Sequence, residues 1–388
     1  MKEGRLILIL GLAGFVVWAD NWVVSPILPA IAKSIGVPPA QAGLLISAYM
    51  IPFALFQLVF GPLSDRYGKK QVINFSMVFF TVGTGLCGFG IGLYDLAVYR
   101  AITGVFAASV MPISVAFIGD VVPMERRQQA IGTFLGIAFL GQGLSMAIGG
   151  SIAYFVSWRG VFFVYAGLAV LATLLLYFAG RQAPSKKNPN SQYLSPYLDL
   201  VRNRRSLMVY VVILIEGILI IGSFSYLGAY TEYQFKFNYL AIGLTLTAFG
   251  AGTVITGRLV GKIVPRIGRK NTLILGIALA MIIDITFFLT QLHPVIFTIG
   301  VAFLGIGFML AHSTLLTIAT EFAKAARGTA MSLVAFCFMG GGGIGTAIGG
   351  RVISSIGYAE FYVLFGILLF GLLVMARLVV CEVKTTGE

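Results

Sequence analysis

A polar stretch, Gly61-Pro-Leu-Ser-Asp65-Arg66-Tyr-Gly68-Lys69-Lys70, lies between two long apolar runs. It returns 200 positions later as Gly261-Lys-Ile-Val-Pro265-Arg266-Ile-Gly268-Arg269-Lys270. The two copies keep Gly, Arg, Gly and Lys in register, with Arg269 opposite Lys69 and Pro265 opposite Asp65. The same offset aligns Ala147-Ile-Gly149-Gly150 with Ala347-Ile-Gly349-Gly350, and Arg127 with Arg327. Two halves built on one plan therefore fill most of the chain, and any fold must accommodate that duplication.

The apolar runs set what each half is made of. With 58% hydrophobic and 11% charged residues over 388 positions, a soluble fold could not cover so much apolar surface, whereas a bilayer supplies an apolar solvent for it. A helix needs about twenty apolar residues to cross ~30 Å of hydrocarbon. On that measure the chain divides into twelve spans, near 5–32, 41–63, 71–91, 94–119, 128–154, 159–180, 205–231, 239–263, 271–290, 295–320, 328–354 and 358–380. The first run is too long, and lacks the small-residue cleavage site, to read as a signal peptide. The expected fold is an all-α membrane protein: a six-helix bundle over 1–180, a polar linker over 181–204 with a short interfacial helix after Tyr193, and a second six-helix bundle over 205–388.

Charge placement orients the spans. One set of loops, together with both termini, carries twenty-one lysines and arginines, and the opposite set carries only Lys33, Arg159, Lys236 and Arg351. By the positive-inside rule both termini face the cytoplasm of a multi-pass cell-membrane protein. The net charge of +13 is thus a topology signal and not a nucleic-acid surface. Cys87, Cys337 and Cys381 are too few and too scattered for a disulfide framework or a zinc site. The chain has no nucleotide loop, no nucleophile elbow and no clustered metal ligands. No enzyme, metal or cofactor is expected.

The loop between spans two and three fits G-x-x-x-D-R-x-G-R/K-R/K through Gly61, Asp65, Arg66, Gly68, Lys69 and Lys70. With the duplicated six-helix halves, it makes the whole chain resemble the major facilitator superfamily, most of all its twelve-span drug:proton antiporters. Span four, Leu96-Ala-Val-Tyr-Arg100-Ala-Ile-Thr103-Gly104-Val-Phe106-Ala107-Ala108, is similar to that family's L-x-x-x-R-x-x-Q-G-x-G-A-A. The resemblance implies a part in proton transfer for Arg100. Thr103 and Phe106 depart from the pattern, and span five reads Ser145-Met146-Ala147-Ile148-Gly149-Gly150 where family antiporters carry G-P-x-x-G-G. The expected function is proton-coupled efflux of a small amphipathic or drug-like organic compound by alternating access, carried out by a monomer. The alternatives are an uptake symporter or facilitator for a sugar, organic acid or other metabolite, and a transport-inactive sensor or scaffold.

Ionisable residues inside spans are costly and mark function. Asp20, ~22 Å into span one, and Arg100, ~9 Å from the opposite surface, reach similar depths and can pair if their helices are neighbours. Gln142 on span five lies near enough in depth to bond to them. Glu216 in span seven has no sequence-local cation. Asp284 in span nine is placed towards the outer third, where local thinning would let it reach water, and span ten carries His312, an imidazole able to take a proton. These five ionisable residues are the proton-coupling candidates. Asp65 is expected to pair with Arg66 or a helix start, and Asp120 with Arg66 or the lysines, so that the loop acts as a conformational latch that is weaker in the second half. Trp18, Asn21, Trp22, Tyr49, Gln57, Gln142 and Tyr226 are the substrate-cavity candidates.

Overall fold

A computed structural model of the chain describes residues 3–179, 195–288, 293–322 and 327–379. The segment read as a flexible linker after Gln182 lies outside the described residues, as does Cys381. A helix follows at Ser195–Arg202. All described regular structure is helical.

The first half runs Glu3–Trp22 and Val24–Ile35, bent by 51° at Val23 to form span one. Leu44–Tyr67, Lys69–Cys87, Leu93–Ala107 with Val110–Val121, Met124–Phe155 and Trp158–Ala179 follow as spans two to six. Span seven is interrupted: Arg204–Glu216 passes into a π-helical turn at Gly217–Ile221, then Gly222–Ser225, a break at Tyr226, and Leu227–Phe235. Spans eight to twelve are Tyr239–Ile267, Arg269–Phe287, Pro294–Glu321, Arg327–Ile356 and Tyr358–Val379. Among the described residues, ten helices, eleven with the bent pair, are long and apolar enough to cross a membrane. Lys69–Cys87 completes the expected twelve; its first turns carry Lys69, Lys70, Gln71 and Asn74, which dilute its hydropathy.

Short polar devices set where the helices end. Gly68 and Gly268 take φ of 102° and 81° at equivalent turns, a backbone region glycine enters without steric cost. Asn203 and Asn238 cap spans seven and eight by accepting hydrogen bonds from backbone N–H groups of the first turn. The Asp95 carboxylate accepts from the N–H groups of Ile91 and Gly92 at 2.7 and 2.8 Å.

The duplication extends to backbone contacts. A Cβ on Gly104 would lie 2.2 Å from the Tyr49 carbonyl oxygen, and one on Gly305 would lie 2.2 Å from that of Phe249. Gly141 meets the Phe15 carbonyl, and Gly341 that of Leu214, at the same 2.2 Å. Spans two and four, and one and five, therefore cross at backbone distance. Eight and ten, and seven and eleven, repeat both crossings, as expected for helix packing through small residues.

The two bundles meet along spans two and eleven and along spans five and eight. At the face opposite the chain termini they are joined by hydrogen bonds. The Ser25 hydroxyl lies 3.0 and 3.2 Å from the carbonyls of Phe224 and Ser225. The Tyr226 hydroxyl lies 3.2 Å from the Ala40 carbonyl and 2.8 Å from that of Thr346. Gly228 lets the two backbones touch, because a Cβ there would stand 2.2 Å from the Ser25 oxygen. The path between the bundles is thus shut on that face. Gly228→Val is expected to force the seam apart. Spin labels on Gln41→Cys and Arg351→Cys, which flank the seam, should move to longer separations; an unchanged distance would remove Gly228 from the closure.

Candidate functional site

Glycine-mediated crossing of spans two and four brings Tyr49 beneath Arg100, with the guanidinium carbon 4.3 Å from the ring centroid. Span one supplies Asp20, and Arg100 Nη1 approaches its Oδ2 to 2.6 Å while Nη2 donates to its backbone carbonyl at 3.3 Å. The two side chains are 1% and 0% exposed. Phe162 closes another side of the guanidinium at 5.9 Å. Only part of the pair's hydrogen-bonding capacity is used: Asp20 Oδ1 and Arg100 Nε have no partner. Gln142 is buried on span five, but its side chain makes no hydrogen bond to the pair.

Glu216 and His312, read separately from the sequence, are brought together across spans seven and ten with Oε2 and Nδ1 3.1 Å apart. Glu216 is wholly buried and its Oε1 is unpartnered, while His312 is partly open. The π-helical turn begins directly after Glu216, and such turns frequently mark functional positions. The imidazole stacks on Phe308 at 5.3 Å and lies 4.2 Å from the Phe338 ring.

An aromatic wall drawn from both bundles leads from span one to His312. Phe139 packs on Trp18 at 5.6 Å, Trp18 stacks on Trp22 at 6.4 Å, and Trp22 on Phe249 at 5.8 Å. Phe249 continues to Phe308 at 5.6 Å and so to His312. The indole N–H groups of Trp18 and Trp22 and the Asn21 Oδ1 have no protein partner. Trp22, Phe249 and Phe308 are buried against one another, so the wall is closed in this conformation, with aromatic faces and a few unused polar groups at the junction of the bundles.

Other candidates lie elsewhere. Tyr226 is buried in the seam between bundles, Tyr49 is fully buried under Arg100, and Gln57 is buried on span two. Asp284 does not reach water as expected: it is 0% exposed, because span nine turns that face towards spans seven and twelve. Asp65 pairs with Lys69 at 3.2 Å, and Asp120 reaches the same Lys69 at 2.9 Å. One lysine thus gathers both acids. The second half, with Pro265 in place of Asp65, is expected to carry a weaker latch; there Arg269 forms an ion pair with Glu321, placed on span ten as Asp120 is on span four. The pair counterpart to Lys69–Asp120 is thus present, and only the acid within the loop is missing. Phe139, Phe249, Phe308 and Phe338 were not singled out, since nothing in sequence separates them from lipid-facing phenylalanines.

With this geometry in place, the comparisons with known proteins identify the class. The family profile described as Major Facilitator Superfamily matches residues 10–346, and the chain belongs to that superfamily of membrane transporters. It is 27% identical over 349 residues to the uncharacterized MFS-type transporter YceJ of Bacillus subtilis (strain 168), covering 88% of this chain and 87% of that one. It is 25% identical over 392 residues to an uncharacterized transporter of Buchnera aphidicola subsp. Schizaphis graminum, covering 97% and 92%. Multidrug resistance protein 3 of Bacillus subtilis is 29% identical over 157 residues, 40% of this chain and 30% of that one. In fold, the xylose transporter XylE from E. coli superposes with a TM-score of 0.76 at 15% identity, covering 100% of this chain and 99% of that one. The nucleoside transporter NupG does so with 0.76 at 14%, covering 98% and 99%.

Proposed function

We propose that this protein exports a small amphipathic organic compound in exchange for protons, by alternating access between its two bundles. The observation that carries the reading is the sealed Asp20–Arg100 pair, with one carboxylate oxygen unpartnered among the described residues, on the same span whose Trp22 joins an aromatic wall shared by both bundles. A proton arriving at Oδ1 neutralises Asp20 and weakens its hold on Arg100, so that occupancy of one carboxyl alters the contact between spans one and four. A substrate that enters between Trp22 of span one and Phe249 of span eight as the wall opens touches both bundles and is carried as they rock. Glu216 with His312 forms a second proton or cation site at the far end of the wall. The Lys69 and Arg269 ion pairs hold the two loops on the terminus side and are remade on switching. Residues 1–180 and 205–388 are the rocking units, 181–204 joins them, and the charge bias places both termini in the cytoplasm of a cell-membrane protein acting as a monomer.

A second reading has one observation in its favour. Span five carries Ser145-Met146 where the resembling exporters have Gly-Pro, which leaves room for uptake of a sugar, organic acid or other metabolite. Fluorescence of Trp18 and Trp22 separates the two. Ethidium and related amphipathic aromatic amines are expected to quench it in a saturable manner, and Glu216→Gln to weaken binding roughly tenfold, the loss of ~1.4 kcal/mol. Quenching or protection by sugars and organic acids, with no response to the amines, would transfer the assignment to uptake.

A further inference from the structure

Asp284 belongs to neither polar pair. It sits about fifteen residues into span nine, fully buried, and neither carboxylate oxygen has a hydrogen-bond partner. The nearby polar side chains are committed elsewhere. The Ser223 hydroxyl, which acts on Asp284 from span seven, points to the Ile220 carbonyl at 3.1 Å. The Tyr362 hydroxyl, whose ring faces Asp284 from span twelve, donates to the Ser223 carbonyl at 3.2 Å. The surrounding ionisable groups supply no cation. Span twelve presents Tyr358 and Tyr362. Span seven presents Tyr230, whose hydroxyl donates to the Phe287 carbonyl, and Glu232, which interacts with Lys33 and Lys236. Span ten carries no ionisable residue between Pro294 and Ala311, and on span eight Arg258 and Lys262 lie towards the terminus side. A bare carboxylate in such a place has nothing to balance it. The equivalent position in the first half is Thr84, an uncharged residue that is equally buried.

What Asp284 touches gives it a consequence. Ser223 directly precedes Phe224 and Ser225, whose carbonyls face the Ser25 hydroxyl of the opposite bundle. Tyr226 follows, at the helix break, holding Ala40 and Thr346. Residues 223–226 therefore lie between Asp284 with Tyr362 on one side and the inter-bundle seam on the other.

We propose that Asp284 is a further proton-binding site, separate from Asp20 and from Glu216 with His312, and that its proton holds the seam opposite the termini shut. Loss of that proton leaves an anion that recruits the two nearest donors. Tyr362 then gives up the Ser223 carbonyl and the Ser223 hydroxyl gives up Ile220. Residues 223–226 lose their inner support, and the bonds to Ser25 and Ala40 release. The proton departs to water on the face that opens. Proton binding from that side, by mass action, favours reclosure. The site acts through the gate alone and does not require that the wall binds any particular substrate.

Spin labels on Gln41→Cys and Arg351→Cys, in a full-length background with Cys87, Cys337 and Cys381 replaced by alanine, read the seam without any substrate. In lipid nanodiscs the short-distance population of the parent is expected to fall at least about tenfold relative to the long one between pH 5 and 9, a change of ~1.4 kcal/mol in the equilibrium. Asp284→Asn should keep the short distance throughout, and Asp284→Thr, copying Thr84, should do the same if the asparagine variant does not fold. Asp284→Glu should retain a pH response. A parent that does not respond to pH overturns the proposal. So does an Asp284→Asn protein that responds as the parent does.

Discussion

Arg100→Met is expected to cost the folded protein about 3–5 kcal/mol, the usual consequence of stranding one partner of a buried ion pair. Methionine replaces only the aliphatic stem and not the guanidinium that lies over Tyr49, so part of the loss is packing, and the part that a second, charge-removing substitution recovers is electrostatic. Asp20, 0% exposed, would keep a carboxylate with no cation and no remaining side-chain partner. Removing both charges together, as Asp20→Leu with Arg100→Met, should recover most of that stability, since a buried pair replaced as a unit by apolar groups is often neutral. Denaturant unfolding in detergent of the two single variants and the double variant checks this. Additive losses would mean that the two residues do not act as a pair.

Asp20→Asn carries the second large expectation. Asparagine retains an oxygen for Arg100 Nη1 and adds little volume, but it leaves the buried guanidinium without a counter-charge, so transport is read on variant protein first shown to be folded by its denaturant unfolding. It cannot take up a proton at Oδ1. Uphill movement of substrate driven by a pH gradient should fall to the level of empty liposomes, while exchange of labelled for unlabelled substrate across the membrane continues. That division between lost coupling and surviving exchange separates a proton site from a structural one, which would lose both. Energetically, coupling between two sites of this kind amounts to about 1–3 kcal/mol, so its removal is visible as a change of at least fivefold.

The bundle architecture was legible because a membrane imposes a single ruler on helix length and because the chain repeats. Twelve apolar runs, Gly68 with Gly268, and the alternating Lys and Arg counts carry that information without tertiary contacts. The depths of Asp20 and Arg100 could be counted along their helices, and depth was enough to suggest a pairing. Counting could not give rotation about the helix axis, and the remaining differences follow from that. Asp284 turns inward to spans seven and twelve, Tyr226 into the seam between bundles, and Glu216 towards His312, 96 positions away. Glu321 escaped notice because its partner Arg269 lies on another helix. Of the aromatic wall, Trp18 and Trp22 were legible, but its phenylalanines were not, because a phenylalanine facing substrate and one facing lipid are the same letter. The π-helical turn after Glu216 leaves no mark in composition either, as Gly217-Ile-Leu-Ile-Ile reads like any other apolar run.

The claim that protons drive export is tested most directly in liposomes with the protein inserted in one orientation, using whichever amphipathic amine quenches Trp18 and Trp22. The membrane voltage is clamped at zero, equal substrate is placed on both sides, and only the pH differs. With acid on the side opposite the termini, substrate is expected to accumulate on that side against its own gradient, and to stop doing so in Asp20→Asn. Substrate that stays at equal concentration under pH gradients of either sign, in protein that binds it and exchanges it, would contradict proton-coupled export.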